Sequence, residues 1–72
     1  MTRAVTVTVL VNGESRAFDA GATVADLVAV VAASPKGIAV AVNADVVPRS
    51  AWGATPLAED DRIELLTAAQ GG

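Results

Sequence analysis

The 72-residue chain has no cysteine, no histidine and no tyrosine. Without cysteine there is no disulfide framework, no thiolate metal site and no thiol nucleophile. Without histidine the usual general base and the commonest metal ligand at neutral pH are also missing. Positive charge is scarce: five basic residues stand against eight acidic ones, for a net charge of −3. That balance argues against nucleic acid as a partner, because phosphate binding needs clustered Lys and Arg. Apolar residues make up 53% of the chain, mostly valine and alanine, yet no uninterrupted run approaches a membrane span. Thr6-Val7-Thr8-Val9-Leu10-Val11 has the apolar content of a signal-peptide core, but its alternation fits a half-buried strand better and no convincing cleavage site follows. These absences describe a soluble cytoplasmic protein with neither membrane nor nucleic acid as partner. It is expected to bind no metal and no cofactor itself and not to be an enzyme in its own right.

What is present is a regular alternation of strand and turn signals. Val5, Val7, Val9 and Val11 alternate with Thr6, Thr8 and Leu10, the period of a strand with one buried face. Asn12-Gly13 is a strong hairpin signal, since both central residues of a type I′ turn need positive φ. A second strand follows over about Glu14 to Phe18, with Phe18 anchoring the core. Thr23 is a helix N-cap with Asp26 as its capping-box partner, and Val24, Leu27, Val28 and Val31 fall on one helical stripe. The helix is expected to end near Ala33, ahead of Ser34-Pro35-Lys36-Gly37. Ile38, Val40 and Val42 form a third strand, Asn43-Ala44-Asp45 turns into the short piece Val46-Val47, and Pro48 ends it. Trp52 sits in an irregular stretch, Glu59-Asp60-Asp61 is a charged turn, and Ile63 and Leu65 point inward from a last strand reaching about Thr67.

The chain stops at Gln70-Gly71-Gly72. The dipeptide alone supports two readings. One is a frayed terminus. The other is a reactive one, in which a terminal carboxylate without a neighbouring Cβ threads a narrow channel in a partner and is presented to a nucleotide.

A hairpin, a helix and a final strand returning parallel to the first make the α+β arrangement called β-grasp, or ubiquitin-like: a mixed sheet packed on one helix. The expected division is a β-grasp domain over 1–67 and a C-terminal tail over 68–72. In Gly37-Ile38-Ala39-Val40-Ala41-Val42-Asn43, Val47-Pro48-Arg49 with Trp52 following, and Ile63 to Gly72, the chain resembles the ThiS family of sulfur carriers of thiamin biosynthesis. The family often has an Asp-Gly-Asp-like turn where this chain has Glu59-Asp60-Asp61. The resemblance implies that an ATP-dependent ThiF-type enzyme adenylates the Gly72 carboxylate. Sulfur from a persulfide protein then gives a thiocarboxylate, and thiazole synthase accepts that sulfur. Neither step asks the carrier for a catalytic side chain, which agrees with the missing Cys and His. Gly71 keeps the tail thin beside the nucleotide, and Gln70 and Ala69 are the extended lead-in, pairing with the partner by strand addition.

Other residues admit plainer readings. Leu10 and Leu66 are out of phase with the buried positions, so they are expected on the open face of the sheet, either as scattered apolar residues or as a docking patch for both enzymes. Trp52 is read as closing the core with its N–H on a backbone carbonyl, and Asn43 as serving its turn. Arg49 has no assigned role, Lys36 is a solvated loop residue, and the acidic cluster Glu59, Asp60, Asp61 and Glu64 is a solvated turn. Alternatives within the resemblance are a carrier for another pathway, such as the small subunit of molybdopterin synthase or a cysteine-synthesis carrier. Outside it stand a protein modifier and a plain interaction domain.

Overall fold

A computed structural model describes residues 5–32, 34 and 36–67. Strand β1 (Thr6–Val11) and strand β2 (Glu14–Asp19) form the expected antiparallel hairpin, with Val7 opposite Phe18 and Val11 opposite Glu14. Asn12 and Gly13 hold φ of 50° and 86°, the pair of positive values that lets the turn follow the twist of its strands. Helix α1 (Val24–Val31) comes next, then β3 (Ile38–Val42), the short β4 (Asp45–Val47), a 3-10 helix (Arg49–Ala54) and β5 (Arg62–Thr67). The sheet order is β2-β1-β5-β3-β4. The last strand therefore lies at the centre, parallel to β1 and antiparallel to β3.

Period-two alternation decides what the helix covers. Val9 and Val11 of β1, Val40 of β3 and Ile63 of β5 are buried on the helix side, with Val7, Ile38, Val42 and Leu65 packed around them. From α1 the stripe Val24, Leu27 and Val28 enters the same core, and Trp52 and Leu57 close it. Leu27 has no exposed surface, and burying a leucine fully is worth about 1.5–3 kcal/mol. Helix α1 starts on the expected capping box: Asp26 N–H donates to Thr23 Oγ1 at 3.4 Å, and Thr23 N–H donates to Asp26 Oδ2 at 2.9 Å. Its first turn is also tied across the core, because Val24 N–H donates to the Thr55 carbonyl and Leu57 N–H to the Ala22 carbonyl, both at 2.9 Å.

Several elements differ from the expectation, among them β4, which begins at Asp45. The helix ends at Val31, with Ala32 already extended at φ −102° and ψ 142°; Ala33 lies outside the described residues. Strand β2 runs one residue further, to Asp19, because Asp19 still pairs with Thr6. The stretch around Trp52 is regular after all. Ala51 N–H donates to the Pro48 carbonyl at 2.8 Å and Thr55 Oγ1 to the Ala51 carbonyl at 2.7 Å, winding a 3-10 helix that turns Trp52 inward. The indole Nε1–H donates to the Val47 carbonyl at 2.9 Å, the backbone partner expected of it.

Candidate functional site

Strand β5, the last described element, lies at the centre of the sheet, and several contacts secure it. On one side β5 pairs with β3 from Val42 opposite Ile63 to Ile38 opposite Thr67. On the other side β1 accompanies it only through Leu10 opposite Arg62 and Val11 opposite Ile63, before turning away into β2. The Asn12 side chain continues the pairing: Leu65 N–H donates to its Oδ1 at 2.9 Å, and its Nδ2 donates to the Leu65 carbonyl at 3.3 Å.

A second asparagine holds the start of the strand from the opposite side. Arg62 N–H donates to Asn43 Oδ1 at 2.9 Å, Asn43 N–H donates to the Arg62 carbonyl at 2.7 Å, and Asn43 Nδ2 donates to Asp61 Oδ1 at 2.9 Å. Asn43 does serve its turn, with φ 51°, and it also binds β5. Sequence reasoning assigned both asparagines to turns alone. Their partners lie 53 and 19 residues away along the chain, so only a known strand order could have revealed them.

The charged turn is more than solvated. Glu59 Oε1 accepts from Thr8 N–H at 2.9 Å, and Asp61 Oδ2 accepts from Ala58 N–H at 2.8 Å. Those carboxylates saturate backbone donors that β1 and the turn would otherwise leave to water. Asp60 holds φ 69°, a left-handed conformation that glycine adopts without cost. Among the described residues no cluster of three His, Cys, Asp or Glu side chains is placed to hold a metal.

Beyond Thr67 the described residues end, so Ala69, Gln70, Gly71 and Gly72 lie outside them. What surrounds the point of departure is visible. An open cleft of about 370 Å³ beside the strand end is lined by residues that include Asn12, Val31, Lys36, Leu65 and Thr67. On the face away from α1, Leu10 is 37% and Leu66 62% exposed. They share that face because Leu10 lies opposite Arg62, four residues before Leu66 on β5. At about 3.3 Å per residue this places them roughly 13 Å apart along the strand, with Glu64 between. Val46, 77% exposed and opposite Ala41, extends the same face toward the β4 edge. Sequence reasoning took Val46 for a mere link in a short strand; its exposure follows from β4 being an edge strand with only one neighbour.

The last described strand thus lies at the centre of the sheet, held on both edges, with an uncovered sheet face beside it. The ThiS family model matches residues 9–72 of the chain. The crystal structure of the thiamine biosynthesis protein ThiS from Geobacter metallireducens aligns with a TM-score of 0.77 at 29% identity, covering 92% of this chain and 100% of that one. Thiazole synthase from Magnetococcus marinus is 39% identical over 61 residues, which are 85% of this chain but 19% of that protein. The chain thus spans a minor part of that longer relative.

Proposed function

Because the chain belongs to the ThiS family of small sulfur carriers, which are not enzymes, we propose that its Gly72 carboxylate is the group activated and loaded with sulfur for the thiazole of thiamin. The observation that carries this reading is the extent of the family match, which runs through Gly71 and Gly72 to the last residue. A carboxylate is a poor electrophile. A ThiF-type partner would join it to AMP from ATP, releasing pyrophosphate and leaving a mixed anhydride. The terminal sulfur of a protein persulfide attacks that carbonyl and AMP departs; a thiol then cleaves the S–S bond, leaving the thiocarboxylate on Gly72 and a disulfide on the donor side. The thioacid is the nucleophile that thiazole synthase takes up. ATP belongs to the activating partner, and the carrier contributes no proton transfer.

The thiamin pathway is favoured over molybdopterin or cysteine synthesis by the relative in which a segment like this chain is part of a longer protein named thiazole synthase. A carrier and its acceptor built as one chain have no need of a diffusional encounter. Gly71 gives the tail a small cross-section beside the nucleotide, and Gln70 and Ala69 supply main-chain groups for strand addition.

Deleting Gly71 and Gly72 tests the reading. Stability should change by no more than about 0.5 kcal/mol in urea unfolding, while thiazole formation in a reconstituted system disappears. Intact-mass analysis of the full chain from cells should find one C-terminal oxygen exchanged for sulfur. Isopeptide adducts on other proteins would turn the reading toward a modifier. Rescue of a molybdenum-cofactor auxotroph alone would move it to the other pathway.

A further inference from the structure

Asn12 does two separable things. Its backbone, at φ 50°, is the first central residue of the hairpin turn, a role that glycine fills equally well. The turn does not require its side chain to bond both main-chain groups of Leu65. With Asn12 N–H already on the Ile63 carbonyl at 2.9 Å, the side-chain amide stands where the next peptide unit of β1 would be. It extends the lateral hold on β5 to within two residues of Thr67. On that side the strand end borders the open cleft lined in part by Val31, Lys36 and Thr67, so no tightly packed layer takes over the task.

We infer that Asn12 is a positioning residue for the activation of the C-terminus: by fixing Leu65, it sets the direction in which β5 delivers the residues after Thr67 to the adenylating enzyme. This rests on the proposal that Gly72 is adenylated. Past Val11 the only strand beside β5 among the described residues is β3, which reaches Thr67 through Ile38, so losing the Leu65 bonds frees one whole edge of the strand end. Loss of the hold therefore reduces the fraction of chains whose end enters the partner's channel, and the apparent affinity falls by that fraction. The chemistry at Gly72, once bound, is unaltered. The signature is a raised KM at nearly constant kcat in a variant that melts well above the assay temperature, since an unfolded fraction would raise KM in the same way.

The test compares full-length wild type, Asn12→Gly and Asn43→Gly in carrier-dependent ATP–pyrophosphate exchange with a ThiF-type enzyme, alongside thermal melting and amide exchange at Leu65. Asn12→Gly retains the turn and removes both side-chain bonds. It should exchange the Leu65 amide faster and raise KM about tenfold, as expected for two net hydrogen bonds partly lost, with kcat within about twofold. Asn43→Gly removes a comparable hold at the far end of β5; it should lower the melting temperature and leave KM unchanged. If Asn12→Gly fails to fold, Asn12→Asp carries the same comparison, keeping the acceptor for Leu65 N–H and losing the donor to its carbonyl. A wild-type KM in the Asn12 variant, or an equal rise in both glycine variants, overturns the inference. A wild-type chain that is never adenylated instead overturns the function on which it rests.

Discussion

Ala44 holds φ 75°, in the left-handed region where a Cβ crowds the following carbonyl at a cost of about 1–2 kcal/mol. It follows Asn43, at φ 51°, so the β3–β4 connection has the two positive φ values of a type I′ turn without the usual glycine. Replacing Ala44 by glycine removes that strain and adds about 0.4–1 kcal/mol of unfolded-chain entropy. The balance favours the variant: Ala44→Gly should raise unfolding free energy by about 0.5 kcal/mol in urea titration, and an equal fall would mean that the alanine is unstrained. At this scale the sequence was informative about backbone and uninformative about side chains. Asn12-Gly13 announced its turn, because the requirement for positive φ is local. That Asn12 and Asn43 also grip β5 was invisible, because hydrogen-bond partners distant in the chain are chosen by topology.

Helix α1 has eight residues, fewer than the roughly 12–15 that an isolated helix needs in water, and half of them are valines, which form helices poorly. Two supports offset this. One is the burial of Val24, Leu27 and Val28; the other is the capping box of Thr23 and Asp26. Thr23→Ala should cost about 1 kcal/mol of stability by thermal or urea unfolding, and a loss under a few tenths would assign the helix to packing alone. The box and the apolar stripe were both legible, as each repeats within a turn or two of chain. The 3-10 helix was not. A segment of six residues offers too few turns to show a period, and it is held by Trp52 entering a core that the rest of the fold supplies.

In the whole molecule one helix covers one face of a five-stranded sheet, and the two faces answer to different demands. Positions facing α1 are set by packing, whereas Leu10, Leu66 and Val46 on the other face remain exposed. If that face is where the activating enzyme and the synthase dock, Leu66→Ser should leave stability within about 0.5 kcal/mol of wild type. It should weaken binding to the activating enzyme by about tenfold, as for a contributing interface residue. Unchanged affinity by calorimetric titration would reduce Leu66 to an ordinary exposed apolar side chain.

By itself the sequence determined the strands, the α-helix and their faces, since alternation, capping and turn chemistry act between residues a few positions apart. Its lack of Cys and His also raised the expectation that the chain is not an enzyme in its own right, which agrees with its ThiS family membership. The two-residue parallel contact of β1 with β5, the asparagine that makes up for its shortness, and the carboxylates that saturate backbone donors of β1 and the turn were decided only in three dimensions. Those features depend on which strands become neighbours. Neighbours are selected by burying one common core and closing long loops around it, a balance summed over the whole chain that no local segment records.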